Sequence, residues 1–219
     1  MAAGYTKIAD LPAVIPVFPL DGALLLPHGN LPLNIFEPRY LNMVDDALAG
    51  ERVIGMVQTA PGGSRERPNL AAVGCAGRIT SFSETGDGRY LITLIGISRF
   101  RIEEELPPID LFRRCRVTFE PFASDFTARA GETEVDRAGV VKALRDFVDT
   151  VHVKVDWRGI EEAPNEALVN ALCMMSPFGV REKQALLEAP NLKTRAEVLI
   201  ALTEIELARG GAGSDSTLQ

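Results

Sequence analysis

The sequence predicts an α+β protein: a strand-rich first half broken by a single helix, then a helical second half. Three observations carry this prediction. Between residues 15 and 121, short runs of Val, Ile, Thr and Phe alternate with Gly, Pro, Asn and Asp, the pattern of successive strands and turns. Within that region residues 38–49 switch to helical spacing. From residue 132 onward apolar residues recur every three or four positions, the period of helices that bury one face.

The first strands carry Pro16, Pro19, Pro27 and Pro32. Proline cannot donate to a strand ladder, so these positions bend the chain and guard it against edge pairing. In the helix at 38–49, Pro38 suits the first turn, and Tyr40, Met43, Val44, Ala47 and Leu48 form one apolar face. Gly50 supplies the stop. Residues 53–58 follow as a buried strand, and residues 60–69, rich in Gly, Pro and Arg, as an exposed loop. Residues 72–83 and 89–98 are β-rich runs joined by Glu84-Thr-Gly-Asp-Gly88, a hairpin signal because Asp-Gly accepts positive φ. Shorter strands cover 100–104 and 114–119. Repeated strands around one inserted helix suggest a small closed or partly closed barrel.

The helical half begins with Val140, Leu144, Phe147, Val148, Val151 and Val155 at helical spacing. Pro164 and nearby glutamates mark a second start, with Leu168, Val169, Leu172 and Met175 as its stripe. A short helix spans 180–188. The last helix opens on a Thr194/Glu197 capping pair, buries Val198, Leu202 and Ile205, and ends at Gly210. The expected division is residues 1–125 for the strand half, 132–209 for the helical half and 210–219 as a disordered tail.

Composition narrows the function. A chain of 219 residues with 46% hydrophobic and 24% charged residues folds as one large domain or two small ones. A formal net charge of −7 argues against general nucleic-acid binding, which needs concentrated Lys and Arg. The densest basic run, Arg113-Arg114-Cys115-Arg116, alternates between two strand faces and makes no single patch. The amino terminus lacks the basic start and apolar run of a signal peptide, and no segment has the roughly 18 apolar residues of a membrane span. Cys75, Cys115 and Cys173 are widely spaced in apolar surroundings, without a CxxC pair. Free thiols in a reducing cytoplasm are expected, with neither a disulfide framework nor a zinc site.

Ile15-Pro-Val-Phe-Pro-Leu20, Leu24-Leu-Leu-Pro27 and Leu31-Pro-Leu-Asn-Ile-Phe-Glu-Pro-Arg-Tyr40 resemble the start of the Lon substrate-binding domain, the amino-terminal module of ATP-dependent Lon proteases. The central hairpin, Val73-Gly-Cys-Ala-Gly-Arg-Ile79 with the GxxRF strand at Gly96-Ile-Ser-Arg-Phe100, is similar to that family, as are residues 178–188 and 195–202. The resemblance extends over residues 12–209. It implies a pseudouridine-synthase-and-archaeosine-transglycosylase-like (PUA-like) β-barrel followed by a helical bundle, and a role in recognising protein substrates. The sequence contains no GxxxxGK[ST] phosphate loop, so the expectation is a stand-alone module that neither hydrolyses ATP nor cuts peptides and needs no cofactor or metal.

Cys173 with His152, and Ser176 with Lys183, are the nearest approaches to nucleophilic dyads; apolar helix packing and a helix-entry turn explain them better. Asp45 and Asp46, and Glu103, Glu104 and Glu105, lack metal-ligand spacing and read as solvated faces. The most specific polar motif is Glu37-Pro-Arg-Tyr40, preceded by Phe36. As a recognition surface, Arg39 would pair an acidic group of a peptide with Tyr40 stacked beside it; as structure, Glu37 would cap the helix and Tyr40 would join the core. Phe122, Phe126 and Phe178 lie near element boundaries, where exposed aromatics would bind unfolded segments. The leading expectation is a non-catalytic peptide-binding module using Phe36, Glu37, Arg39, Tyr40, Phe122, Phe126 and Phe178. Its expected partners are unfolded or extended client proteins, a protease that receives them and a second copy of itself, with no membrane. RNA binding on a PUA-like barrel, and a small-molecule or hydrolytic role in a cleft between the halves, are the alternatives.

Overall fold

A computed structural model describes residues 4–64, 67–107, 111–151 and 156–214. The chain divides into two compact units. One comprises residues 1–128 with 177–187, and the other residues 129–176 with 188–219. The expected boundary near residue 125 is therefore crossed twice more, because one late helix returns to the strand unit.

In the strand unit six strands form one sheet: β1 (Val14–Pro19), β2 (Asn30–Ile35), β3 (Val53–Gly63), β4 (Pro68–Glu84), β5 (Tyr90–Glu105) and β6 (Arg113–Thr118). Their order is β2-β5-β4-β3-β1-β6, and β6 also pairs with β5. Among the described residues five strands thus close into a hydrogen-bonded circuit, and β2 is attached to β5 alone. All pairings are antiparallel except β1 with β3, where Val17 lies opposite Gly55. Closure hides most of the sheet's hydrogen-bonding edge.

Inside the circuit Ile15, Val17, Val53, Val57, Ala76, Ile97, Phe100, Cys115, Val117 and Phe119 form a buried cluster. Phe100 is fully buried, and its ring fits because its neighbours lack side chains: a Cβ on Gly74 would lie 2.4 Å from it, and one on Gly55 2.9 Å. Gly96 is just as constrained, since a Cβ there would meet the Leu26 carbonyl oxygen at 2.0 Å. Glycine and phenylalanine in the Gly96-Ile-Ser-Arg-Phe100 motif are thus explained by close packing. α1 (Pro38–Ala49) buries Tyr40, Met43, Val44 and Ala47, as its sequence period predicts. Each such burial is worth about 1.5–3 kcal/mol for the larger side chains.

Arg99 supplies the polar pin of this unit. Its side chain is 3% exposed and that of its partner Asp125 is 7% exposed. Nε and Nη2 donate to the two carboxylate oxygens at 2.9 and 2.8 Å, and the Arg99 backbone N–H adds a third bond at 2.9 Å. Nη1 donates to the Leu187 carbonyl at 3.2 Å, and the guanidinium lies 4.8 Å from the Phe122 ring centroid. One residue therefore ties β5 to the 3-10 segment Glu120–Phe126 and to α5 (Val180–Glu188). Lys183 of α5 donates to the Gly22 carbonyl at 2.6 Å, and Gln184 to the Val73 carbonyl at 3.1 Å.

The other unit holds α2 (Arg137–Val151), α3 (Trp157–Glu162), α4 (Asn165–Met175) and α6 (Leu192–Ser214), with α6 packed on α2 and α4. Arg137 donates to the carbonyls of Ile160, Glu161 and Ala163 and to Asn165 Oδ1, satisfying the open C-terminal end of α3.

Several sequence expectations are corrected. The loop expected at 60–69 is mostly paired: Thr59 faces Leu70, Ala60 faces Asn69 and Gly63 faces Pro68. Positive φ at Gly62 and Gly63 (97° and 76°) lets the β3–β4 hairpin run on through residues that look like loop. The strand expected at 100–104 is the continuation of β5. α6 starts at Leu192, three residues earlier than a Thr194 cap would give, because Asn191 Oδ1 accepts from the Thr194 N–H at 2.9 Å and acts as the cap. Its backbone continues through Gly210 to Ser214, so residues 210–214, expected in a disordered tail, are helical. The buried face of α6 is Leu192, Arg195, Ala196, Leu199 and Thr203, whereas Ile205 is 45% exposed. Arg195 and Thr203 tolerate burial because they bond Asn170 Oδ1 at 3.1 Å and the Leu199 carbonyl at 2.8 Å. In α4 likewise Asn170 and Cys173 are buried while Met175 is 81% exposed. Val155 lies outside the described residues.

Candidate functional site

The most exposed aromatic surface gathers where β2 runs into α1 and the β4–β5 hairpin turns. Phe36 follows the last residue of β2 and is 62% exposed. Ile35 pairs with Tyr90, and Glu84 pairs with Tyr90 from the other side. The Phe82 ring, 42% exposed, meets the Tyr90 ring edge-on at 4.9 Å. Thr85 N–H donates to the Arg89 carbonyl at 2.8 Å and Gly88 N–H to the Thr85 carbonyl at 3.0 Å, with Gly88 at φ 79°. That turn holds the Arg89 guanidinium 5.9 Å from the Phe36 ring centroid and 3.0 Å from Asp87. Lost solvation, then a hydrogen bond with Asp45 of α1, hold the Tyr90 hydroxyl above its ordinary pKa.

The motif beginning at Glu37 borders this corner. Glu37 occupies the N-cap position of α1 but makes no side-chain cap bond. Its Oε2 instead accepts from Arg39 Nε and Nη2 at 3.0 and 2.8 Å. The Arg39 guanidinium lies 4.6 Å from the Tyr40 ring centroid. Tyr40 itself is buried and packs on Phe18 at 4.2 Å between centroids, and burial raises the pKa of its hydroxyl. Tyr40 thus supports the corner from below, while Phe36, Glu37 and Arg39 reach the surface. Their capacity is for apolar contact flanked by arginine, the mix that suits extended polypeptide.

A model of the family described as "ATP-dependent protease La (LON) substrate-binding domain" matches residues 14–204. The chain belongs to the Lon substrate-binding domain family. Among its relatives, Lon protease 2 of Sorangium cellulosum is 27% identical over 202 residues, covering 88% of this chain and 25% of the relative. Lon protease 2 of Thermus thermophilus is 28% identical over 214 residues, covering 90% of this chain and 25% of the relative. The chain therefore spans about a quarter of the length of the curated relatives it matches. The fold is similar to that of a Lon N-terminal domain protein from Xanthomonas campestris, with TM-score 0.61, 22% identity, and coverage of 86% of this chain and 97% of that one. The N-terminal domain of the Mycobacterium avium complex Lon protease gives TM-score 0.64 at 18% identity, with coverage of 87% and 98%.

Within this Lon-type domain the other expected site residues separate. Phe122 and Phe178 are buried, which corrects the expectation that they expose apolar surface. The 3-10 segment Glu120–Phe126 folds onto β5, so Phe122 lies against Arg99 and the half-buried Phe126 packs against the core cluster. Phe82 and Tyr90 were not singled out from sequence. A Phe in an otherwise polar strand stretch, Thr80-Ser-Phe-Ser-Glu84, was the available signal.

The nucleophile candidates have other partners. Cys173 is fully buried, and burial pushes its thiol up to about 12, so it stays protonated at neutral pH; His152 lies outside the described residues. The Ser176 N–H donates to the Leu172 carbonyl at 3.0 Å and ends α4, and the Lys183 ammonium bonds the Gly22 carbonyl. Asp45, Asp46, Glu103 and Glu104 are exposed. Among the described residues no group of three or more His, Cys, Asp or Glu side chains is placed to hold a metal ion. None of the described helices is long and apolar enough to cross a membrane. The basic run divides as its strand phase requires: the Arg113 side chain is 16% exposed and pairs Glu105, whereas that of Arg116 is 50% exposed and pairs Glu104.

Proposed function

We propose that this chain is a non-catalytic protein-binding module that recognises unfolded or extended client polypeptides through the corner formed by Phe36, Phe82, Tyr90 and Arg39. The observation that carries the reading is the exposure of Phe36, 62%, beside Phe82, 42%. Burying such a ring against a client contributes about 2 kcal/mol before association costs. Contacts of that kind are weak and broad in specificity, which suits selection of unfolded chains. Membership of the Lon substrate-binding family supports protein clients. Delivery to a protease and self-association extend the same reading. The closed strand circuit supports a PUA-like barrel, and the helices of the other unit a bundle. Cys75, Cys115 and Cys173 are buried and none of them is in a disulfide, which fits a reducing cytoplasm.

Fluorescence anisotropy against labelled unfolded casein, with a folded protein and a structured RNA as controls, tests the reading. Saturable binding to casein alone, weakened about tenfold by Phe36→Ser, is the expected result. RNA binding that falls steeply with salt, without casein binding, would replace it with the nucleic-acid alternative.

A further inference from the structure

A second surface lies at the other end of β4 and β5, where the two strands fork. Their pairing stops at Val73 opposite Arg101. Beyond that point, among the described residues, β4 is registered with β3 alone, through Leu70, Asn69 and Pro68, and β5 with β6 alone, through Ile102, Glu104 and Glu105. The cause is a register shift: from Val57 to Thr59 on β3, the partners move from Gly74 to Leu70 on β4. The extra β4 residues bend its end away from β5. An open groove of about 410 Å³ results, lined by Asn69, Leu70, Ala71 and Ile102, with Glu105 and Arg113 at its end.

Charge at that end is unbalanced. Arg67 and Arg113 share one carboxylate, Glu105, at 2.7 and 2.5 Å. Arg113 is further held by the Pro68 carbonyl at 2.7 Å, and its side chain is 16% exposed. The Arg67 side chain is 53% exposed, so two guanidiniums and one carboxylate leave positive charge facing the groove. The contrast with β2, the strand attached only to β5, is informative. Pro32 sits in the middle of β2 and removes an N–H from an edge, whereas residues 69–72 contain no proline.

We propose that this fork is a strand-addition site: an extended segment of another polypeptide pairs with the open edge of β4 at residues 69–72 and places an aspartate or glutamate side chain against Arg67. Main-chain bonds give the affinity and the carboxylate gives the selectivity. The proposal rests on the protein-binding reading but uses a surface separate from Phe36.

The probe is a blocked, fluorophore-labelled peptide, Lys-Thr-Val-Asp-Val-Thr-Lys, titrated into the whole protein beside labelled unfolded casein. Saturable peptide binding is expected. It weakens about tenfold when the peptide's Asp becomes Asn, and equally for Arg67→Glu, with little further loss when both changes are combined. Methylating alternate backbone nitrogens of the peptide should abolish binding, while Phe36→Ser should leave it unchanged. Binding that survives backbone methylation or ignores Arg67→Glu overturns the strand-addition site. Casein binding without peptide binding refutes this site and leaves the Phe36 reading standing; Arg67-dependent peptide binding without casein binding does the reverse.

Discussion

Arg99 lies 4.8 Å from the Phe122 ring centroid and grips Asp125, and Arg39 lies 4.6 Å from the Tyr40 ring centroid and grips Glu37. The chemistry is the same in both places, but the side chains are 3% and 7% exposed in the first pair and 45% and 44% in the second. Depth decides what each trio does. In the buried one Nε, Nη1 and Nη2 all donate within the fold, and removing a partner strands a charge away from water. In the exposed one water screens the pair, so its contribution to stability is small and its donors can turn to a ligand.

The largest test of that contrast is Asp125→Ala, which should cost about 3–5 kcal/mol by leaving Arg99 buried without its carboxylate. Urea unfolding measures it, and a loss under about 1 kcal/mol would mean that Arg99 is not a pin. Replacing the pair together, Arg99→Met with Asp125→Leu, should recover much of the loss. Between the extremes stands Glu105, whose carboxyl is held below its ordinary pKa chiefly by the Arg113 hydrogen bond. A depressed folded value gives stability that is full above the unfolded pKa of about 4.3 and is lost as pH falls through the lower folded value. Glu105→Gln should therefore cost about 1–2 kcal/mol at pH 7, with the gap to the parent protein closing as both are titrated into acid. A gap independent of pH would assign the cost to packing.

At the exposed corner the effects on folding shrink. Phe36→Ser should change unfolding free energy by no more than about 0.5 kcal/mol while weakening casein binding about tenfold; a larger stability change would make Phe36 a structural residue. Smallest is Arg39→Ala, at about 0.2 kcal/mol, the low end for an exposed ion pair. That difference should fade in 1 M salt, where the screening length is about 3 Å, and thermal melts at two ionic strengths would detect it.

The same contrast explains what was legible beforehand. α1 could be read because Pro38, its apolar period and Gly50 all act within a dozen residues. The β4–β5 hairpin was equally local, resting on Asp87-Gly88. Arg99 and Asp125 were passed over because they are 26 residues apart, and a lone arginine in an apolar run gives no sign of its partner. Burial of Arg195, Thr203 and Asn170 misled the stripe assignments for α4 and α6, since hydrophobicity alone cannot reveal a satisfied polar group. Within the candidate site, the Phe36 motif was visible as local sequence, but its union with Phe82 and Tyr90 depends on strand register. The fork was hidden for the same reason: Gly62 and Gly63 read as loop until their strands are paired.

The return of residues 177–187 to the strand unit matters for a chain emerging from a ribosome. Arg99 and Asp125 are synthesised early, but the Leu187 carbonyl that accepts from the arginine, and the Lys183 that clasps Gly22, arrive only after most of the other unit has been made. At roughly 5–20 residues per second, the nascent sheet waits several seconds for its last helix. During that interval the growing polypeptide is itself an incompletely folded chain, the kind of surface that this protein is proposed to recognise in others.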